Sequence, residues 1–144
     1  MKILHSYGEI ETQKISYDLG QQAQAGDVYC LCGDLGTGKT AFAKGFAEGL
    51  AIQDDIVSPT FTIVHEYMGR LPLFHFDVYR IPDGDALYDI GFDDYLYRNG
   101  VCLIEWANQL REDMPEDAIW IEIEKDLSLG ENYRKITITG GVEN

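Results

Sequence analysis

A chain of 144 residues, 45% of them apolar, is expected to fold as one domain over residues 1–144 with a core of its own. It has no apolar run approaching the ~18 residues of a membrane span, and its opening MKILHSYGEIE shows no secretory h-region. Eleven basic against 25 acidic side chains give a net charge of −14, which speaks against a nucleic-acid grip by this chain and suits a protein partner with basic patches.

In chain order, Lys2 to His5 is predicted as a short strand. Ser6 with Glu9 three positions on reads as a capping box, and a helix follows. Ile10, Ile15, Leu19 and Ala23 keep helical spacing loosely, and Ile15 to Gly26 is the firmer stretch. Asp27 to Cys32 holds the unbroken apolar run VYCLC, a buried strand. Lys39 to Leu50 sets Phe42, Phe46 and Leu50 four apart, with Ala43 and Ala47 beside them, on one helical face. After Ser58-Pro59 the period changes to strand. Phe61 to Tyr67 and Leu73 to Tyr79 form a hairpin about Met68-Gly69-Arg70.

Ala86 to Ile90 and Phe92 to Arg98 read as two short helices broken at Gly91. The acidic, aromatic stretch DIGFDDYLY is either a partner surface or a solvated helix pair that buries Phe92 and Leu96. Val101 to Ile104 is a second continuous apolar run, suited to a central strand covered on both faces. Ala118 to Glu124 and Lys135 to Thr139 alternate strictly and read as a closing antiparallel pair with one wet face. Cys30, Cys32 and Cys102 have no zinc spacing and no disulfide-like framework, so buried thiols in a reducing cytoplasm are expected.

The octet GDLGTGKT, residues 33–40, matches G-x-x-x-x-G-K-[ST] in full, between an apolar strand and an amphipathic helix. Its glycines let successive N–H groups turn inward as an anion nest, and the following helix adds the positive end of its dipole. Lys39 carries a full charge to the β- and γ-phosphates, and the Thr40 hydroxyl can ligate Mg²⁺. The pattern predicts an α/β fold, a P-loop NTPase-like three-layer sandwich on a mixed sheet with a parallel centre and antiparallel additions.

Such a loop needs an acid at a neighbouring strand end, and Asp77 and Glu105 both qualify. Thr60, between the loop helix and the next strand, is placed to sense a γ-phosphate or else starts the strand. Arg80, just past Asp77, reads as a charge-stabilising group, a partner contact or, slightly favoured, a salt bridge. His75 reads as a core hydrogen bond.

GDLGTGKT, SPTFTIVHEY, FHFDVYR and LIEW, in this order and at these separations, resemble the TsaE (YjeE) family over nearly the whole chain. These are small bacterial ATPases needed for the threonylcarbamoyl modification of adenosine 37 in tRNAs reading ANN codons. The resemblance implies ATP and Mg²⁺ as cofactors and slow hydrolysis by the chain alone. It implies action on a core of TsaD and TsaB, which hydrolysis resets or activates without performing the transfer.

The resemblance also implies a phosphate cradle of Leu35, Gly36, Thr37, Gly38, Lys39 and Thr40, with Thr40 on the metal. Glu105 matches the family's metal-site glutamate, Asp77 its Walker B-like aspartate, and Thr60 falls in the switch-like loop. Lys39, Asp77, Glu105 and Thr60 are the implied catalytic set. Trp106 matches the family tryptophan, and Arg134 resembles a late family arginine near the nucleotide, although Tyr133 stands where a glycine is usual. Stable tRNA binding by the isolated chain is not expected at −14. Two other functions use the same loop: a small-molecule kinase, for which neither lid nor acceptor pocket is legible, and an ATP-gated interaction module.

Overall fold

The run VYCLC forms the second strand, β2 (Val28–Cys32), and all five of its residues are buried. Only a position between two neighbours, covered on both faces, accommodates such a run. The computed structural model of the chain describes residues 1–34 and 36–140. Around β2 stand β1 (Lys2–Ser6), β3 (Val64–Met68), β4 (Pro72–Asp77), β5 (Val101–Glu105), β6 (Ile119–Lys125) and β7 (Arg134–Gly140). They make one sheet in the order β1-β7-β6-β2-β5-β4-β3. The central strands β6, β2, β5 and β4 run parallel, and β3 at one edge and β7 and β1 at the other are antiparallel additions. The α/β architecture is as expected.

The pleat of β2 divides the core in two. Tyr29 and Leu31 pack with Leu103, Ile121 and Ile136 under α1 (Glu9–Gln22) and α2 (Lys39–Gly49), where Phe42 and Phe46 are fully buried. Cys30 packs on the other face with Phe76 and Ile104. That face is covered by α3 (Gly84–Asp89), α4 (Phe92–Leu96) and a 3-10 stretch, Ala107–Asp113. Burial pushes the Cys30 thiol up and that of Cys102 up to about 12, so both are inert core groups. In the DIGFDDYLY segment, Phe92 is buried edge-on to Phe76, while Asp89, Asp93 and Asp94 are exposed.

The start of α1 differs from expectation. Ser6 belongs to β1 and is wholly buried; its hydroxyl donates to the Gly8 carbonyl and shares a 2.7 Å hydrogen bond with the Thr12 hydroxyl. The Tyr7 N–H goes to the Glu11 carboxylate at 2.9 Å, so no Ser6–Glu9 box forms. The helix runs Glu9–Gln22, earlier at both ends than its apolar spacing suggested. Of that spacing only Ile10 is lost to solvent, at 83% exposed; Ile15 and Leu19 pack half-buried on the core and Ala23 is buried, while the fully buried positions within the helix are the small Thr12, Ser16 and Gly20.

The reason lies across the seam, where Gly45 and Gly49 of α2 bring the two helix backbones into near contact. A Cβ on Gly45 would collide with the Ser16 hydroxyl and the Gln13 carbonyl oxygen. Gly45→Ala is therefore expected to lower the midpoint of chemical unfolding. Overpacking of about 1–3 kcal/mol outweighs the ~1 kcal/mol that alanine gains in a helix. An unchanged or raised midpoint would show that the helices separate without strain. Arg70 closes the other end of α1, its guanidinium donating to the carbonyls of Gly20, Gln21 and Ala23 at 2.7–2.8 Å.

β3 begins at Val64 rather than Phe61. Ile63 sits at φ 72, and its N–H bonds the Pro59 carbonyl at 2.7 Å, so residues 59–63 form a turn. A β-branched residue in the left-handed region is strained.

Candidate functional site

The C-terminal ends of β2, β4 and β5 lie side by side, and the parallel register sets Asp77 opposite Glu105 and Glu105 opposite Leu31. The octet therefore leaves the sheet next to two carboxylates that are far apart in sequence. The loop closes on itself through Thr37, whose N–H and hydroxyl both donate to the Asp34 carbonyl, at 3.3 and 2.8 Å. Gly36 and Gly38 adopt φ 78 and φ 101, angles that side chains resist, and α2 starts directly at Lys39. From β7, Arg134 buckles the loop: Nε donates to the Thr37 carbonyl at 2.9 Å and Nη2 to that of Gly36 at 3.3 Å. Its Nη1 holds the carbonyls of Glu131 and Tyr133 at 2.9 and 2.7 Å.

Residues 36–40, Thr60, Asp77, Glu105, Trp106 and Arg134 line one cavity of about 460 Å³. Every site residue expected from the sequence is thus brought together except Leu35, which lies outside the described residues. The far wall, the start of α1 with Glu9 and Thr12, had no legible signal in the sequence.

Lys39 is 8% exposed, and its buried Nζ has no hydrogen-bond acceptor. It rests 3.5 Å from the centroid of the Trp106 ring. Trp106 itself holds φ 66 and stacks on Tyr79 at 5.0 Å. Burial lowers the pKa of Lys39, opposed by the charges of Glu105 and Asp77.

Asp77 is fully engaged on its protein side. Oδ1 accepts the Tyr79 N–H at 2.9 Å, and Oδ2 accepts the Thr60 hydroxyl at 3.1 Å. Thr60 in turn shares a 2.7 Å bond with Ser58, and the Asp77 N–H donates to the Ile63 carbonyl at 2.8 Å.

His75 is buried and makes a core hydrogen bond, as expected, and its partner is a carboxylate of the site. Its Nε2 lies 2.6 Å from Oε2 of Glu105, and its Nδ1 is buried without a partner. A bare Nδ1 fits the neutral tautomer, with Nε2–H donating to an ionised glutamate. The available clue was strand period: His75 and Asp77 are two apart on β4 and share a face.

Arg80, expected in a salt bridge, has no carboxylate partner among the described residues; its guanidinium lies 4.6 Å from the centroid of the Phe61 ring.

The order and spacing of these groups can be compared with known proteins. A family model described as "Threonylcarbamoyl adenosine biosynthesis protein TsaE" matches residues 7–136. The chain belongs to the TsaE family. The tRNA threonylcarbamoyladenosine biosynthesis protein TsaE of Bacillus subtilis is 48% identical over 130 residues, covering 90% of this chain and 79% of that protein. The TsaE of Treponema pallidum is 42% identical over 120 residues, covering 83% and 87%. The crystal structure of Bacillus subtilis YdiB superimposes with a TM-score of 0.79 at 41% identity, covering 96% of this chain and 84% of that one. Involvement in threonylcarbamoyladenosine biosynthesis is the coarse function of this TsaE chain.

The donor set of the TsaE cavity fits Mg²⁺. Among the described residues no cluster of three or more His, Cys, Asp or Glu could hold a metal. The cavity offers two carboxylates and the Thr40 hydroxyl, hard oxygen donors that suit an ion keeping its waters and sharing phosphate oxygens. No helix among the described residues is long and apolar enough to cross a membrane.

Proposed function

We propose that this TsaE chain binds ATP with Mg²⁺ and hydrolyses it slowly by itself. It acts in the cytoplasm on a transferase core of TsaD and TsaB type proteins, and does not itself carry the threonylcarbamoyl group or hold tRNA stably. The ammonium of Lys39 carries the reading: it is buried, without an acceptor, and lines the cavity beside the glycine loop. An unmatched buried cation is costly, and a triphosphate supplies the missing acceptors.

In this reading the loop amides of residues 36–40 hold the β-phosphate, and Lys39 leaves the Trp106 face to hydrogen-bond the β- and γ-oxygens. Thr40, Glu105 and Asp77 would hold Mg²⁺, directly or through its waters, where it neutralises charge on those oxygens. His75 keeps one oxygen of Glu105 fixed, which leaves the other to face the cavity. Thr60 is released from Asp77 to orient water. The water oxygen bonds the γ-phosphorus as the bond to the bridging oxygen breaks. ADP leaves with the electron pair, and the proton ends on phosphate.

Calorimetry with Mg-ATP, followed by phosphate release with and without TsaD and TsaB type proteins, tests this. The expected result is uptake of ATP and faster release with the partners. No uptake by folded protein overturns the whole reading. Uptake without release favours an ATP-gated module, and stoichiometric transfer to a metabolite favours a kinase.

A further inference from the structure

We infer that Arg80 is the cation this chain brings onto the transferring phosphoryl group, held at rest on the ring of Phe61; the inference rests on the ATPase reading above. The five arginines divide cleanly. Arg70 caps α1 on three carbonyls, Arg98 pairs with Glu66 at 2.9 Å, and Arg111 stacks on Trp120 at 3.9 Å. Arg134 is held by four carbonyls of the loop and its own turn. Arg80 and Arg111 have neither a carboxylate nor a carbonyl partner among the described residues, in a chain with 25 acids, but the Trp120 ring under Arg111 is half-buried and lies outside the cavity of Lys39. Arg80 rests on the ring of Phe61, itself 80% exposed, and a cation on an exposed ring is weakly held.

Both members of that stack hang from the same carboxylate. Arg80 follows Asp77 by three residues, on the turn whose first hydrogen bond runs from the Tyr79 N–H to Asp77 Oδ1. Phe61 follows Thr60, whose hydroxyl occupies Asp77 Oδ2, and the strained Ile63 closes the same turn. When Thr60 leaves Asp77 for a bound nucleotide, Phe61 moves with it and Arg80 loses its resting place.

The cavity needs such a group. A triphosphate entering beside Asp77 and Glu105 meets one unengaged cation, Lys39. The loose transition state of phosphoryl transfer spreads negative charge over three equatorial oxygens, and a planar guanidinium fits two of them at once.

Native protein, Arg80→Ala and Arg80→Lys are compared by calorimetry with Mg-ADP, and with Mg-ADP plus aluminium fluoride as mimic of the transferring group. Single-turnover phosphate release is measured alongside. Thermal midpoints should match, because the side chain is exposed. The expected result is ADP affinity within about twofold in all three, while the tightening by aluminium fluoride falls about tenfold or more in Arg80→Ala. Release falls in parallel, and lysine restores only part because it lacks the fork. Phe61→Ala, which removes the resting place, should raise single-turnover release, and adding Arg80→Ala should abolish the gain.

Equal tightening in Arg80→Ala overturns the inference and leaves the ATPase reading standing. So does a native chain that takes up ADP with no effect of aluminium fluoride. A native chain that takes up no nucleotide overturns the ATPase reading instead.

Discussion

Lys39→Met is expected to stabilise the free protein and to abolish its tight uptake of ATP. The two effects have one origin. In the unfolded chain the ammonium is solvated, whereas in the fold its Nζ is buried with no acceptor and only the Trp106 face beside it. Methionine keeps the stem and removes the charge, relieving about 1–3 kcal/mol of unsatisfied burial. The pH dependence has a definite sign. Burial puts the folded pKa of Lys39 below its unfolded value, so the fold disfavours the charged form. That penalty is complete below the folded pKa and disappears as pH rises to the unfolded value. The advantage of methionine should therefore be largest at neutral pH and shrink toward about pH 10. Affinity for Mg-ATP should fall about 100-fold or more, since charge-assisted bonds to the β- and γ-oxygens are lost. Chemical unfolding at the two pH values, with calorimetry at neutral pH, reads both halves. A less stable Met variant at neutral pH would mean that the ammonium is satisfied after all.

Glu105→Gln and Glu105→Ala should separate hydrolysis from folding. Glutamine preserves an oxygen for the His75 Nε2–H at nearly the same place, so its unfolding midpoint should stay close to native. Alanine leaves a buried imidazole with both nitrogens unpartnered, because Nδ1 already has none, and should cost about 1–3 kcal/mol. Both should lose about 100-fold or more in Mg-dependent phosphate release, because either removes the charge beside the phosphates. Equal midpoints for the two variants would show that His75 does not depend on Glu105. Native-like release by Glu105→Gln would leave Asp77 as the operative acid.

The legible parts of this protein are those in which one stretch of chain carries the whole signal. VYCLC and VCLIE read as central strands because both faces are buried over five residues. The octet read as a glycine loop between strand and helix because all its fixed positions lie within eight residues, and it joins β2 to α2. β6 and β7 read as a pair with one wet face, and Ile121, Ile123 and Ile136 are buried while Glu122 and Glu124 are exposed. Hidden parts depend on what the chain meets elsewhere. The face of α1 set against α2 is small and polar because α2 presents Gly45 and Gly49 to it, and apolar periodicity has no mark for such a seam. His75 read as a core hydrogen bond, but its partner, Glu105, is fixed only by the parallel register of β5 alongside β4. Arg80 looked like half of a salt bridge, and only the tertiary structure sets it on Phe61 with no carboxylate beside it among the described residues.

The sequence by itself determined the α/β class, the central strands, the glycine loop and the two acids that end neighbouring strands, because local side-chain chemistry and spacing suffice for each. The tertiary structure alone decided that Asp77 and Glu105 stand side by side, that Arg134 buckles the loop, and that Thr60 and His75 each hold one oxygen of a different carboxylate. Those arrangements are made by backbone hydrogen bonds between distant strands, and such bonds use the same N–H and C=O groups whatever the residue.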